Sequence, residues 1–111
     1  MMDNDQLDRE IVRTVMGWKL IRQLDHHEWL YQDHTETHIR IPTDFHPTTD
    51  ISQAFQVEDR IKKLDLSYIY GEHLMQIIID DYTEVVSEKY LLAHATPLQR
   101  CQAALKAVKV G

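Results

Sequence analysis

The chain is 111 residues long and weighs 13.1 kDa, with 43% apolar residues, 27% charged residues and a formal net charge of −6. A chain of this size buries roughly two-thirds of its unfolded surface, which predicts one domain over residues 1–111 with a core that needs no staples. The composition excludes a disordered polymer, and short apolar runs such as Ile77-Ile78-Ile79 exclude a membrane span. The acidic start, Met1 to Asp8, has neither the basic nor the apolar region of a secretory signal. The lone cysteine, Cys101, rules out an internal disulfide, so a reducing, cytoplasmic setting is expected. Charge is uneven: residues 1–50 carry five Lys/Arg against ten Asp/Glu, and residues 51–111 carry seven against eight. That balance repels a phosphate backbone, so direct nucleic-acid binding is not expected.

Residues 5–16 read as a first helix, with Leu7, Ile11, Val15 and Met16 on one face and Asn4 or Asp5 as N-cap. Gly17 stops it, and Trp18 stands where a hydrophobic residue often folds back on a helix end. From Trp18 to Pro42 the pattern turns strand-like. Trp18 and Leu20 alternate weakly, while Trp29–Gln32 and His38–Ile41 form a hairpin around a loop of about five residues, Asp33–Thr37. Pro42 ends the second arm.

A second helix follows, capped by Thr49 or Asp50 with Gln53 three residues beyond Asp50. Its expected buried stripe is Ile51, Ala54, Phe55, Ile61 and Leu64, with Glu58, Asp59, Lys62 and Lys63 in water. Leu66–Tyr70 and Met75–Ile79 read as two strands joined around Gly71-Glu72-His73. A further strand is expected from about Val85 to Leu92, and a helix over 84–92 is the alternative. The last helix has the fullest set of start signals: Thr96 as N-cap, Pro97 at the first helical position and Gln99 closing a capping box. Leu98, Cys101, Leu105 and Val108 then recur at helical spacing, with Gln99, Gln102, Lys106 and Lys109 facing water.

This order predicts an α+β fold, a mainly antiparallel sheet of about four to six strands packed with three helices. Gly17-Trp18 after the first helix, Thr49-Asp50-Ile51 with Ala54-Phe55, and Ala95-Thr96-Pro97-Leu98 with Cys101-Gln102-Ala103-Ala104-Leu105-Lys106-Ala107 together carry a resemblance. Over roughly residues 5–108 the chain resembles the phage ABA sandwich domain, a family of small proteins from phages and prophages of Gram-positive bacteria. The family pattern often has Tyr-Ser before Thr-Asp and a Trp after the alanine, where this chain has His46, Pro47, Thr48 and Phe55. Arg100 stands in a run that is usually apolar. The resemblance implies α-β-α layering and a setting in the host bacterial cell, and it implies no activity. The matching residues are caps and core.

Four groups of residues invite a chemical reading, and each has a plainer one. His34, His38 and one of Glu36 or Asp33 could ligate zinc, but on a hairpin loop their convergence depends on loop shape, and a solvated polar turn is the preferred account. Asp80 and Asp81 with Glu84 and Glu88 could hold magnesium, yet no phosphate loop is near, and a turn after the Met75–Ile79 strand is preferred. Cys101 could be a nucleophile aided by His94, but its place on an apolar stripe reads as a buried small hydrophobe. The helix starts at Thr49-Asp50 and Thr96-Pro97 could bind anions, but their own side chains occupy the donors. No catalytic residue, metal ligand or cofactor is therefore assigned. Trp18, Trp29, Tyr31, Phe45, Tyr68 and Tyr70 supply aromatic surface, and any left exposed marks a partner surface.

The expectation is a non-enzymatic phage accessory protein that binds a protein partner or itself, with an exposed sheet edge as one route. The alternatives are a small metal-dependent hydrolase built on the histidine-rich hairpin and an acidic mimic of nucleic acid that occupies a host protein.

Overall fold

The first helix is capped by Asp3, ahead of the expected Asn4 or Asp5. The Asp3 carboxylate accepts the Gln6 N–H at 2.8 Å and Gln6 Oε1 accepts the Asp3 N–H at 3.0 Å, a reciprocal box that the sequence spacing permits but does not single out. The computed structural model describes residues 2–81 and 92–110. Helix α1 (Asn4–Ile11) runs directly into a π-helical segment, Val12–Met16. Leu7, Ile11, Val12, Val15 and Met16 are buried along it. Gly17 ends the segment at φ 69°, a left-handed conformation that only glycine adopts without strain. Trp18 then turns back, its N–H reaching the Val12 carbonyl at 3.1 Å and its ring lying 4.9 Å from that of Phe45.

Strands β1 (Lys19–Gln23), β2 (Trp29–Gln32) and β3 (His38–Ile41) pair antiparallel in chain order. The β2–β3 hairpin has the expected bounds. Register places Leu20 beside Tyr31, Tyr31 beside Ile39 and Trp29 beside Ile41, so these side chains share the face turned to α1. Lys19, Arg22, His38 and Arg40 are exposed on the other face. A bulge between Leu20 and Arg22 interrupts the β1 pairing.

Helix α2 (Ile51–Lys63) is capped by Asp50, whose carboxylate accepts the Gln53 N–H at 3.0 Å. Its buried face is Ala54, Val57 and Ile61, while Ile51, Phe55 and Leu64 of the expected stripe are exposed. The stripe is rotated because Phe55 lies under the Arg100 guanidinium, 5.0 Å from its ring centre, rather than in the core.

The two expected strands Leu66–Tyr70 and Met75–Ile79 are instead one helix, α3 (Ser67–Asp81). Asp65, at φ 60°, reverses the chain, the Leu66 N–H reaches the Ile61 carbonyl at 3.1 Å, and the Leu66 carbonyl accepts the Tyr70 N–H at 2.9 Å. Tyr70, Leu74 and Ile78 are buried at four-residue intervals, a helical period masked in the sequence by aromatic and β-branched content. The expected 85–92 element lies outside the described residues apart from Leu92, which is helical.

Helix α4 (Pro97–Val110) has the expected cap: Gln99 N–H donates to Thr96 Oγ1 at 3.0 Å and Thr96 N–H to Gln99 Oε1 at 2.9 Å. Cys101, Ala103, Ala104 and Ala107 are fully buried, and these small side chains let α1, α2 and α3 all pack against α4. Gln99 and Arg100 are buried as well, against the expectation that Gln99 faces water. The fold is α+β, with three antiparallel strands rather than four to six, and with four helices rather than three among the described residues.

Arg100 joins the helices. Its Nη1 donates to both Glu58 carboxylate oxygens at 3.0 and 2.9 Å, Nε to the Ala95 carbonyl at 3.0 Å and Nη2 to the Leu92 carbonyl at 3.2 Å. Tyr70 donates its hydroxyl to Glu58 Oε2, so α2, α3 and α4 meet at one carboxylate. Arg100→Ala strands Glu58 and two carbonyls, and denaturant unfolding is expected to show a loss of about 3 kcal/mol. Arg100→Met combined with Glu58→Gln is expected to recover part of that loss, since no charge is then left alone.

Asp8 is the second buried charge, 1% exposed, accepting the Thr48 N–H at 3.0 Å and so tying α1 to the loop before α2. Burial pushes its carboxyl up from 3.8 to about 6, against the Thr48 hydrogen bond and the charge of His46. Its contribution is most favourable below pH 4, where both states are protonated, and falls as pH rises through 6. Urea titrations are expected to lose on the order of 2–3 kcal/mol across that window, and Asp8→Asn to flatten the profile.

Candidate functional site

Hydrogen bonds within the histidine-rich hairpin and to the end of the π-helical segment after α1 set the places of its side chains. Asp33 Oδ1 accepts the Thr35 N–H, the Thr35 hydroxyl and the Thr37 N–H at 2.9, 2.7 and 2.9 Å, and Glu36 sits at φ 66°. Those bonds hold the Asp33 carboxyl below its usual range, with the Thr35 hydroxyl the largest cause. His34 Nε2 lies 3.0 Å from the Met16 carbonyl, while His38 is exposed on β3. Arg60 Nε reaches the Val15 carbonyl at 3.2 Å, so His34 and Arg60 together satisfy the end of the π-helical segment. The Gly17-Trp18 pair thus marks a helix terminus sealed from two other elements. No group of three or more His, Cys, Asp or Glu is placed to hold a metal among the described residues.

Asp80 and Asp81 end α3 rather than following a strand, and they point to different partners. Gln76 Nε2 donates to Asp80 at 3.0 Å and Gln99 Nε2 to Asp81 at 2.7 Å. Glu84 and Glu88 lie outside the described residues. At the capped helix starts the Gln53 and Gln99 N–H groups donate to the Asp50 and Thr96 side chains.

Cys101 is fully buried, and burial pushes its thiol well above the usual range, the reverse of what a nucleophile needs. His94, the proposed helper, is exposed. A thiol reagent is expected to label the native protein slowly and to react at the free-cysteine rate once the protein is unfolded in urea.

The aromatic side chains divide. Tyr31, Phe45 and Tyr70 are buried, Trp18 and Trp29 are partly buried, and Tyr68 is 78% exposed. More informative are the two sheet edges, which differ. On β3, Asp44 occupies the outer backbone groups of Arg40: its N–H donates to the Arg40 carbonyl at 2.7 Å and its carboxylate accepts the Arg40 N–H at 3.0 Å. On β1, every residue from Lys19 to Gln23 is exposed, and among the described residues only β2 bonds the strand's backbone. Leu20, Ile21 and Leu24 add exposed apolar side chains there.

Beside this edge lies a cleft of about 730 Å³ between α1 and the sheet, lined by Trp29, Tyr31, Leu20 and the α1 residues Gln6, Arg9 and Arg13 among others. The Arg9 guanidinium stacks on Trp29 at 3.6 Å, and its buried Nε has no hydrogen-bond partner among the described residues. Arg13 is held by both Glu10 oxygens at 2.9 and 2.7 Å. Sequence reasoning missed this cleft. Its only linear trace is the run Val12–Leu24, which holds Arg13, Lys19 and Arg22 and no acidic residue in an otherwise acidic chain.

No helix among the described residues is long and apolar enough to cross a membrane. The family model described as the phage ABA sandwich domain matches residues 9–105. No curated protein and no solved structure matches the chain.

Proposed function

Because the chain belongs to the phage ABA sandwich domain family, we propose that it is a phage accessory protein that works by binding another protein rather than by catalysis, in the host-cell cytoplasm. The observation that carries this reading is the asymmetry of the sheet. One edge is occupied at Arg40 by Asp44, and the other, β1, offers its backbone among the described residues, with Leu20, Ile21 and Leu24 beside it. An extended segment of a partner adds there as a fourth strand, gaining main-chain hydrogen bonds from the edge and side-chain specificity from alternate positions. The candidate nucleophile is buried, and the Asp33, Asp80 and Asp81 carboxylates accept hydrogen bonds from groups within the fold. Nucleic-acid mimicry draws no support from this edge, because Lys19 and Arg22 make it basic.

Short random peptides selected on the folded chain are expected to shift the amide resonances of Lys19–Gln23. They are also expected to bind at least about tenfold more weakly to Ile21→Pro, a variant that spoils an edge strand. A thermal melt of that variant checks that the fold survives. Selection that yields no peptide acting on β1 amides would refute strand addition.

A further inference from the structure

A strand added to β1 continues the pleat, so every second side chain of the newcomer points to the face that carries Leu20 and Tyr31. That face does not end at β1. It opens into the cleft floored by Trp29 and Tyr31 and walled by Gln6, Arg9, Glu10 and Arg13. The next strand lies about 4.8 Å further out, so its inward side chains enter this cleft rather than water.

The cleft wall holds two arginines and one carboxylate, an excess of one positive charge. Arg13 is neutralised by Glu10, but Arg9 forms no ion pair among the described residues and keeps a buried Nε without an acceptor, while Trp29 holds its guanidinium flat. A planar guanidinium fixed on an aromatic face presents its remaining donors in a fork suited to a carboxylate. On the outer face of the same edge, Lys19 and Arg22 are exposed and add positive charge. A second copy of the chain is a poor occupant. Antiparallel pairing of β1 with its own copy sets Lys19 and Arg22 of each strand near those of the other on one face, and Lys19–Leu24 supplies no carboxylate to Arg9.

From this geometry, and resting on the strand-addition reading, we infer that the partner segment is acidic: an extended stretch of another protein whose inward-facing position carries Asp or Glu. Its carboxylate meets Arg9, beside the Arg13–Glu10 pair, and its apolar neighbours two residues away lie on Leu20 and Trp29. The edge supplies backbone bonds to any sequence, and the cleft selects among sequences by charge.

The test uses peptides selected from a random library on the intact chain, with affinities measured by fluorescence anisotropy. Selected peptides are expected to be enriched in Asp or Glu flanked two residues away by apolar side chains. Replacing that Glu by Gln in the peptide is expected to weaken binding to the native chain at least about tenfold, and to have little further effect on Arg9→Gln. Arg13→Gln, at a side chain 61% exposed, provides a second variant should Arg9→Gln fail to fold, and is expected to reduce the same preference in part because it leaves the Glu10 charge uncompensated on the cleft wall. Peptides that shift β1 amides and lose affinity for Ile21→Pro yet show no acidic preference would overturn the acidic partner while leaving strand addition standing. An equal cost of the Glu-to-Gln change on the native chain and on Arg9→Gln would do the same. A concentration-dependent dimer dissolved by Ile21→Pro would assign the edge to a second copy and overturn the inference. The absence of any β1-directed peptide would remove both readings together.

Discussion

The fold depends on a single close-packed helix, α4, with a guanidinium at its start. Cys101, Ala103, Ala104 and Ala107 have no bulk to keep neighbours away, so α1, α2 and α3 all approach α4. Such small side chains bring backbones together without choosing which helices come. Arg100 makes that choice. It binds Glu58 of α2 through two bonds and receives α3 through the Tyr70 hydroxyl on the same carboxylate. Its other donors close the carbonyls of Ala95 and Leu92 just before α4 begins. A charged pair of this kind adds little net stability over an apolar one, but it penalises any arrangement that leaves either charge alone.

Two other polar contacts extend the same logic to the rest of the chain. Asp8 ties α1 to Thr48, and Gln99 both caps α4 and holds the end of α3 through Asp81. The π-helical end of α1 is sealed by His34 from the hairpin loop and Arg60 from α2. Side chains that look reactive in isolation are therefore consumed in joining elements. What the joining leaves over, among the described residues, is at the far side of the sheet, where β1 has a partner on one flank only and the Arg9 Nε beside it has no acceptor.

Much of the architecture was legible in the residues, though unevenly. The α4 cap, the Gly17 stop and the β2–β3 hairpin follow from local rules, because capping donors, a left-handed φ and a short loop are settled within a few positions. The α3 segment was misread because Tyr68, Ile69, Tyr70 and the Ile77–Ile79 run have strand-forming side chains, while the choice between strand and helix rested on whether α4 was there to receive Tyr70, Leu74 and Ile78. The α2 stripe was misplaced for a related reason. Phe55 is large enough to suggest core, but Arg100 offers it a partner at the surface and Val57 takes the interior. Family membership was readable from the same caps and core positions, and residues 9–105 carry it.

By itself the sequence determined the Thr96 and Asp50 caps, the Gly17 stop, the bounds of the β2–β3 hairpin and the burial of Cys101. Those properties depend on interactions between residues near in the chain or on side-chain polarity alone. Only the tertiary structure decided that residues 67–81 are helical, that Arg100 and Gln99 are interior, and that Arg9 faces a cleft beside an open strand. Each of these follows from groups distant in sequence competing for the same bond or the same space, and no local pattern records which of them wins.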